Sequence, residues 1–428
     1  MMRAAVTPAP RALAGLWEGR RTARGPLWLE RVRREAKAAF DAVGLPAPGN
    51  EDWRQTNVQG LASIPFVAAP PAELDAEALA AGPRVVLVNG RVAKLDGLPE
   101  GVTVLSLARA LAEIPETIEP HLGRVAPTTG HPFAALNTAL FEDGVLVSIP
   151  AGAQIGPAIQ IVHASVADAG PAAVLPRVLI VAGPRSSATV VEMFVSKGGT
   201  TLTSAVTEIV VLEGARVDHV KLQAESEDAW HIAAIAGRVA RDGRLASHNV
   251  SWGAKLARND IGAVLDGEGA SCHLYGLYLA DGSQHVDNHT WLDHAKPHCP
   301  SWEMYKGILA GSARAVFNGR IIVRQDAQKT DAKQSNKNLI LSDGAVVYTR
   351  PQLEIYANDV RCTHGATIGR LDEAAVFYLR SRGLGAVQAR DLLVHAFADD
   401  VLAKIPDQPT RAAAGRALYA RLARDLET

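Results

Sequence analysis

A cysteine and a histidine two residues apart, Cys362 and His364, lie in the stretch Pro351-Gln-Leu-Glu-Ile-Tyr-Ala-Asn-Asp-Val-Arg-Cys-Thr-His-Gly-Ala-Thr-Ile-Gly369. In an extended strand, successive side chains alternate faces, so the two project together and Thr363 points away. A thiolate beside an imidazole offers a soft ligand pair suited to iron, iron–sulfur clusters, zinc or copper. Two ligands do not close a tetrahedral site. The pair therefore either fills a buried position, as cysteine commonly does, or forms half of a site that a partner completes.

A second group of ligand-type residues is His285, His289, Asp293, His294, His298 and Cys299. On a helix, histidines at i and i+4 share a face, as in zinc peptidases, but His285-Val-Asp-Asn-His289 lacks the glutamate of that motif. In a strand or an irregular segment this spacing does not make one metal face as it would on a helix. Polar turns that satisfy one another are favoured there over a metal site. Cys272 and His273 are neighbours, would face opposite sides of a strand, and receive no joint role. The sequence contains no G-x-x-x-x-G-K-[ST] phosphate loop, no G-x-S-x-G elbow and no C-x-x-C pair. ATP hydrolysis by this chain is therefore not expected. The charged residues of Gln325-Asp-Ala-Gln-Lys-Thr-Asp-Ala332 could suggest sugar-acid chemistry on a β-helix, but secreted lyases of that fold usually carry a signal peptide.

The elements that must position these residues follow from composition and periodicity. The chain has 428 residues, enough for two or three folded units. Lys plus Arg number 44 and Asp plus Glu 45, a formal charge of -1, so the basic excess of a nucleic-acid groove or an anionic-membrane surface is missing. No uncharged apolar run is long enough to cross a membrane. The first thirty residues carry arginines together with Glu18 and Glu30 and contain no serine. That pattern argues against a secretory signal and only weakly suggests a transit peptide. Three cysteines, Cys272, Cys299 and Cys362, are too few for a disulfide framework. A reducing, cytoplasmic setting is expected.

Residues 1 to about 60 read as helical, with Leu29, Val32, Ala36, Phe40 and Val43 on one face and Pro46, Pro48 and Gly49 ending the helix. Arg84-Val-Val-Leu-Val-Asn-Gly90 reads as a strand entering an Asn-Gly turn. From about residue 131, short β-branched runs alternate with turn glycines. Gly152, Gly183, Gly214, Gly243 and Gly269 are separated by 31, 31, 29 and 26 residues. A repeat of that size marks a solenoid. Propeller signatures are missing, so a β-helix fits better, with a large β-sandwich as the alternative. After Gly369 the pattern turns helical, with Asp372 as N-cap and Gly383 as C′ residue. A second helix would bury Ala389, Leu392, Leu393, Ala396 and Phe397, and a third Ala414, Leu418, Leu422 and Leu426. These helices either cap the last coil or present a docking surface. The expected organisation is a helical region with a strand-rich patch (1–130), a parallel β-helix (131–369) and a helical domain (370–428).

Several long motifs in one order then become informative. Ala315-Val-Phe-Asn-Gly319, Ala327-Gln-Lys-Thr-Asp-Ala332, the stretch from Pro351 to Gly369 and Phe377-Tyr-Leu-Arg-Ser-Arg-Gly383 resemble the SufB/SufD family of iron–sulfur cluster assembly proteins. The likeness extends through His285-Val-Asp-Asn-His-Thr290, His294 and Ser301, and to the Trp-centred Glu51-Asp-Trp-Arg-Gln-Thr-Asn57, where Gln55 replaces a common aromatic. Gly365, where SufB would be expected to show a glutamate, points to the SufD branch.

The resemblance implies a mainly β chain, a right-handed parallel β-helix flanked by helical regions. It implies a non-catalytic scaffold subunit of a cytoplasmic complex, binding neither nucleic acid nor membrane. SufB would pair with it through the β-helices, and the SufC ATPase would dock on its C-terminal helices, at Phe377, Tyr378, Arg380 and Arg382. His364 would be an iron ligand, with Cys362 as a nearby thiol, in an interface site shared with SufB. There a transient iron–sulfur cluster would form from iron and from sulfur delivered through SufB. Self-pairing as a homodimer when the chain is alone stays open, and a β-helix polysaccharide-active enzyme is the alternative function.

Overall fold

Short β-branched runs between turn glycines cannot bury two faces alone, and stacking them solves this. The computed structural model describes residues 11–18, 25–47, 49–72 and 83–426. Parallel strands form two ladders, between which the chain alternates. One runs from Val145–Ile149 through Arg177–Ala182, Thr201–Val211, Trp230–Val239, Leu256–Leu265, His285–His294 and Arg314–Val323 to Val346–Ile355. The other runs from Ile159–Ala167 through Ser187–Gly198, Arg216–Gln223, Arg244–Ser251, Ser271–Ala280, Pro300–Leu309 and Asp331–Ile340 to Arg361–Gly369. One coil advances the chain by 26 residues where Trp230 faces Leu256 and by 33 where Val145 faces Val178. This is the solenoid that the glycine spacing predicts. A sandwich would require antiparallel partners within the repeats, and the coils pair in parallel.

Both faces of these strands are covered, so Thr201–Val211 is buried at every position. Inward residues such as Val147, Ile180, Ile209, Ile235 and Ile261 make the interior core. The Asn89-Gly90 turn, at φ of 51° and 77°, joins Arg84–Val88 to Arg91–Asp96 as expected. That hairpin extends the second ladder, and Thr103–Ser106 adds an antiparallel strand to the first, so the N-terminal end of the solenoid is covered.

The helix Leu27–Val43 buries Leu29, Val32, Ala36 and Phe40, the face its periodicity predicts, with Val43 half-buried. Pro48 lies outside the described residues. The pattern change near residue 131 begins with a buried helix, Pro132–Leu140, laid on the outer face of the first ladder. Its anchor is ionic. Arg177 and Glu208, both fully buried, pair at 2.5 Å. Glu208 also accepts from the backbone N–H groups of Gly123, Val125 and Ala126, and Arg177 donates to Asn137 and Thr138. Burial opposes the Glu208 charge, yet Arg177 and these N–H donors hold its pKa below the usual value.

The C-terminal helices correct two expectations. Asp372 caps Glu373–Ser381 by accepting from the Ala374 N–H, and Gly383 follows the C-cap at φ 96°, both as predicted. In Ala386–Leu402, however, the buried residues are Ala389, Val394, Ala398, Val401 and Leu402, while Leu392 is 47% exposed. Of the predicted stripe only Ala389 is buried. The helix is apolar on several sides, so its partner surface rather than its periodicity selects the face. In Gln408–Leu426, Ala414, Leu418 and Leu422 are buried as predicted, and the Leu426 side chain lies outside the described ones. Nor do these helices cap the last coil. They pack on the outer face of the second ladder, against Leu222, Val250, Leu277, Leu279 and Ile308. Among the described residues, nothing covers the C-terminal end of the solenoid.

Candidate functional site at the open end of the solenoid

The last strand of each ladder, Val346–Ile355 and Arg361–Gly369, pairs on one side only among the described residues. Its other side presents unpaired backbone N–H and C=O groups, and Tyr356 and Ile368 beside it are exposed. Cys362 and His364 sit on this terminal strand. Register places Cys362 against Ala332 and His364 against Gln334, and both partners are buried and inward-facing. The two therefore share the inward face, at the mouth of the coil. Cys362 is half-buried against the interior core and His364 is exposed. Burial pushes the Cys362 thiol pKa up, the Ala332 backbone contact opposes this, and Asp331 adds to the rise. The neutral thiol is thus the resting form until a cation approaches.

The interior beneath the pair is polar, which the sequence reading missed. Gln334 donates from Nε2 to Glu303 Oε2 at 2.7 Å, and both are buried. Asn338 Nδ2 donates to Asn336 Oδ1 at 2.7 Å, and the Tyr278 hydroxyl reaches Asn338. The available signal was Gln334, Asn336 and Asn338 on alternate residues of Asp331–Ile340, a period-two amide pattern with one face to the interior.

Burial raises the Glu303 carboxyl to about 7, although hydrogen bonds from Thr290 and Gln334 oppose the shift. Folding therefore takes up a proton between the ordinary glutamate pKa and 7. The associated stability is complete below that window and is lost as pH rises through it. Glu303→Gln removes the titration. The variant should gain on wild type between about pH 4 and pH 8, by on the order of 3 kcal/mol. Denaturant melts at both pH values check this, and an equal difference at both would contradict it.

The second ligand-type group is dispersed. On the outer face of His285–His294, Thr56 Oγ1 contacts His285 Nε2 at 2.9 Å and donates to Asp287 Oδ2 at 2.5 Å. Arg258 donates to the same Asp287 oxygen at 2.7 Å, and His289 Nε2 lies 3.1 Å from Asp287 Oδ1. The Arg258 guanidinium also covers the Trp53 ring at 3.8 Å. Burial opposes the Asp287 charge, yet His289 and Arg258 hold its pKa well below the usual carboxylate range. His285 and His289 do share a strand face, with Asp287 between them, but they join a polar clamp holding the Trp53 segment. Asp293 pairs with Arg324, His294 turns inward to Ser301 at 3.0 Å, and the Cys299 thiol contacts the Gly267 carbonyl at 3.3 Å. His298 stays apart in a turn at φ 59°. His285, His289, Asp293 and His294 thus make their polar contacts from a strand and not from turns. Cys272 is buried inward and His273 faces out beside Tyr275, as expected. Among the described residues, no three His, Cys, Asp or Glu side chains converge to hold a metal.

The clamp borders a groove of about 560 Å³ on the outer face of the first ladder, lined by Trp53, Phe133, Arg258, Trp291 and Arg320 among others. Away from it, Glu373–Ser381 exposes 73% of Phe377 and 57% of Tyr378. Arg380 and Arg382 are also exposed, and the Arg382 guanidinium stands 5.3 Å from the Tyr378 ring centre. The structure thus places all four predicted docking residues on one accessible segment.

Residues 163–397 match the SUF system FeS cluster assembly, SufBD core domain, and residues 84–161 match the SufBD protein N-terminal region. The chain is 34% identical over 395 residues to an iron–sulfur cluster assembly SufBD family protein of Synechocystis, covering 87% of each chain. It is 32% identical over 376 residues to the iron–sulfur cluster assembly protein SufD of Escherichia coli, covering 86% of each. A SufBD family protein of Mycobacterium tuberculosis is 31% identical over 381 residues, covering 87% of this chain and 88% of its own. No helix among the described residues is long and apolar enough to cross a membrane.

Proposed function

Because the chain belongs to the SufBD family of iron–sulfur cluster assembly proteins, we propose that it is a SufD-type scaffold subunit whose open solenoid end pairs with a SufB β-helix. The observation that carries this reading is the uncovered terminal coil with Cys362 and His364 at its mouth. An edge of unpaired backbone groups is satisfied by another strand, so pairing there stabilises both chains and brings partner side chains to the mouth.

Iron is cargo at this site, and His364 offers it an imidazole lone pair. Cys362, a neutral thiol at rest, becomes a ligand as the cation's charge favours loss of its proton. SufB supplies the remaining ligands, so the cluster assembles and leaves as the interface closes and opens. The exposed segment from Phe377 to Arg382 docks the SufC ATPase, which supplies the ATP hydrolysis for which this chain has no phosphate loop. The complex works in the cytoplasm.

The shared site makes a direct prediction. The purified chain alone, reconstituted anaerobically with iron and sulfide, should retain no stoichiometric cluster after desalting. A stable cluster on the isolated chain would contradict a divided ligand set.

A further inference from the structure

We propose that Gln334 is the positioning residue for His364, with Glu303 fixing the orientation of the Gln334 amide; the inference rests on His364 facing iron, as proposed above. Glu303, Gln334 and His364 occupy one inward column on three successive strands. The Gln334 side chain is buried, and its Nε2 donates to Glu303 Oε2 at 2.7 Å. Its Oε1 is also buried and has no partner. Gly319 on the opposite ladder makes room for the amide: a Cβ there would lie 2.3 Å from Gln334 Nε2. This gives the glycine of the Ala315–Gly319 motif a physical task.

Above about pH 7 the Glu303 carboxylate only accepts hydrogen bonds, so it takes the NH₂ side of the amide, as the 2.7 Å contact shows, and leaves the carbonyl for another donor. The next residue in the column is His364, about 4.8 Å away across the ladder. Its imidazole N–H is the donor that the orphaned oxygen calls for. Holding that N–H fixes the tautomer, and the other ring nitrogen keeps its lone pair for metal.

The test uses the metal-free full chain with ¹⁵N-labelled histidine at about pH 8.5, where a free imidazole is neutral. Signals of His364 among the 13 histidines are identified by their loss in His364→Gln. Wild type should show one dominant His364 tautomer. Gln334→Leu should populate both, and Glu303→Gln, which leaves the amide free to turn, should shift the ratio the same way. A mixed population in wild type, or unchanged ratios in both variants, would overturn the proposal. In the complex with SufB and SufC, Gln334→Leu should weaken iron binding roughly 10- to 100-fold. If His364→Ala leaves iron binding unchanged, the ligand assignment fails, while the tautomer measurement still judges the positioning by itself.

Discussion

Arg177→Met will cost the folded chain about 3–5 kcal/mol, because it strands Glu208 in a site with no access to water. Three backbone N–H donors would remain on the carboxylate, but no cation would balance it. The same change frees Asn137 and Thr138 from their contacts with the guanidinium, so the buried helix Pro132–Leu140 loses part of its anchor. Adding Glu208→Gln should recover much of the loss by removing the unpaired charge. Equilibrium urea unfolding of the single and double variants measures both terms. A loss below about 1 kcal/mol, the range of exposed ion pairs, would mean that this buried pair does not hold the N-terminal region to the solenoid.

Loss of SufC binding is the second large effect, expected for Phe377→Ala combined with Tyr378→Ala. Two aromatic side chains at 73% and 57% exposure on one helix are the type of anchor that dominates interfaces. Truncating both should weaken association by at least 2 kcal/mol, about 30-fold. Because neither ring is buried in the chain itself, thermal stability should stay within about 0.5 kcal/mol of wild type. Titration calorimetry with purified SufC, alongside a melt, separates the two. Wild-type affinity in a folded variant would move the docking surface elsewhere, for example to the exposed Val387 and Leu392 of the following helix.

How much of this was legible in the residues depended on the range of the interactions. Glycines spaced by one coil marked the solenoid because every coil must turn at a corner while its inward face stays apolar. Asn89-Gly90, Asp372 and Gly383 were readable because turn and cap geometry is fixed by one or two residues. The shared face of Cys362 and His364 followed from the period of a strand. That this face is the mouth of the coil did not follow, since it depends on Ala332 and Gln334 one coil away.

The failures have the same root. Leu392, Leu393 and Ala396 make as good a stripe as Val394, Ala398 and Val401, and only contact with the second ladder, which Phe397 shares in part, chooses between them. The clamp around Asp287 joins residues 231 apart in sequence, Thr56 and Asp287, so spacing within His285–His289 said nothing about it. End-capping by the C-terminal helices was a sound expectation for a solitary solenoid. Among the described residues the last coil is instead uncovered, which supports the edge-pairing proposed above.

Iron and acid-labile sulfide in the anaerobically purified complex with SufB and SufC, compared between wild type and His364→Ala, test the central claim most directly. Loss of cluster from an intact, correctly assembled complex is the expected result. Unchanged cluster content would make the Cys362–His364 pair structural and leave this subunit a mechanical role in the scaffold.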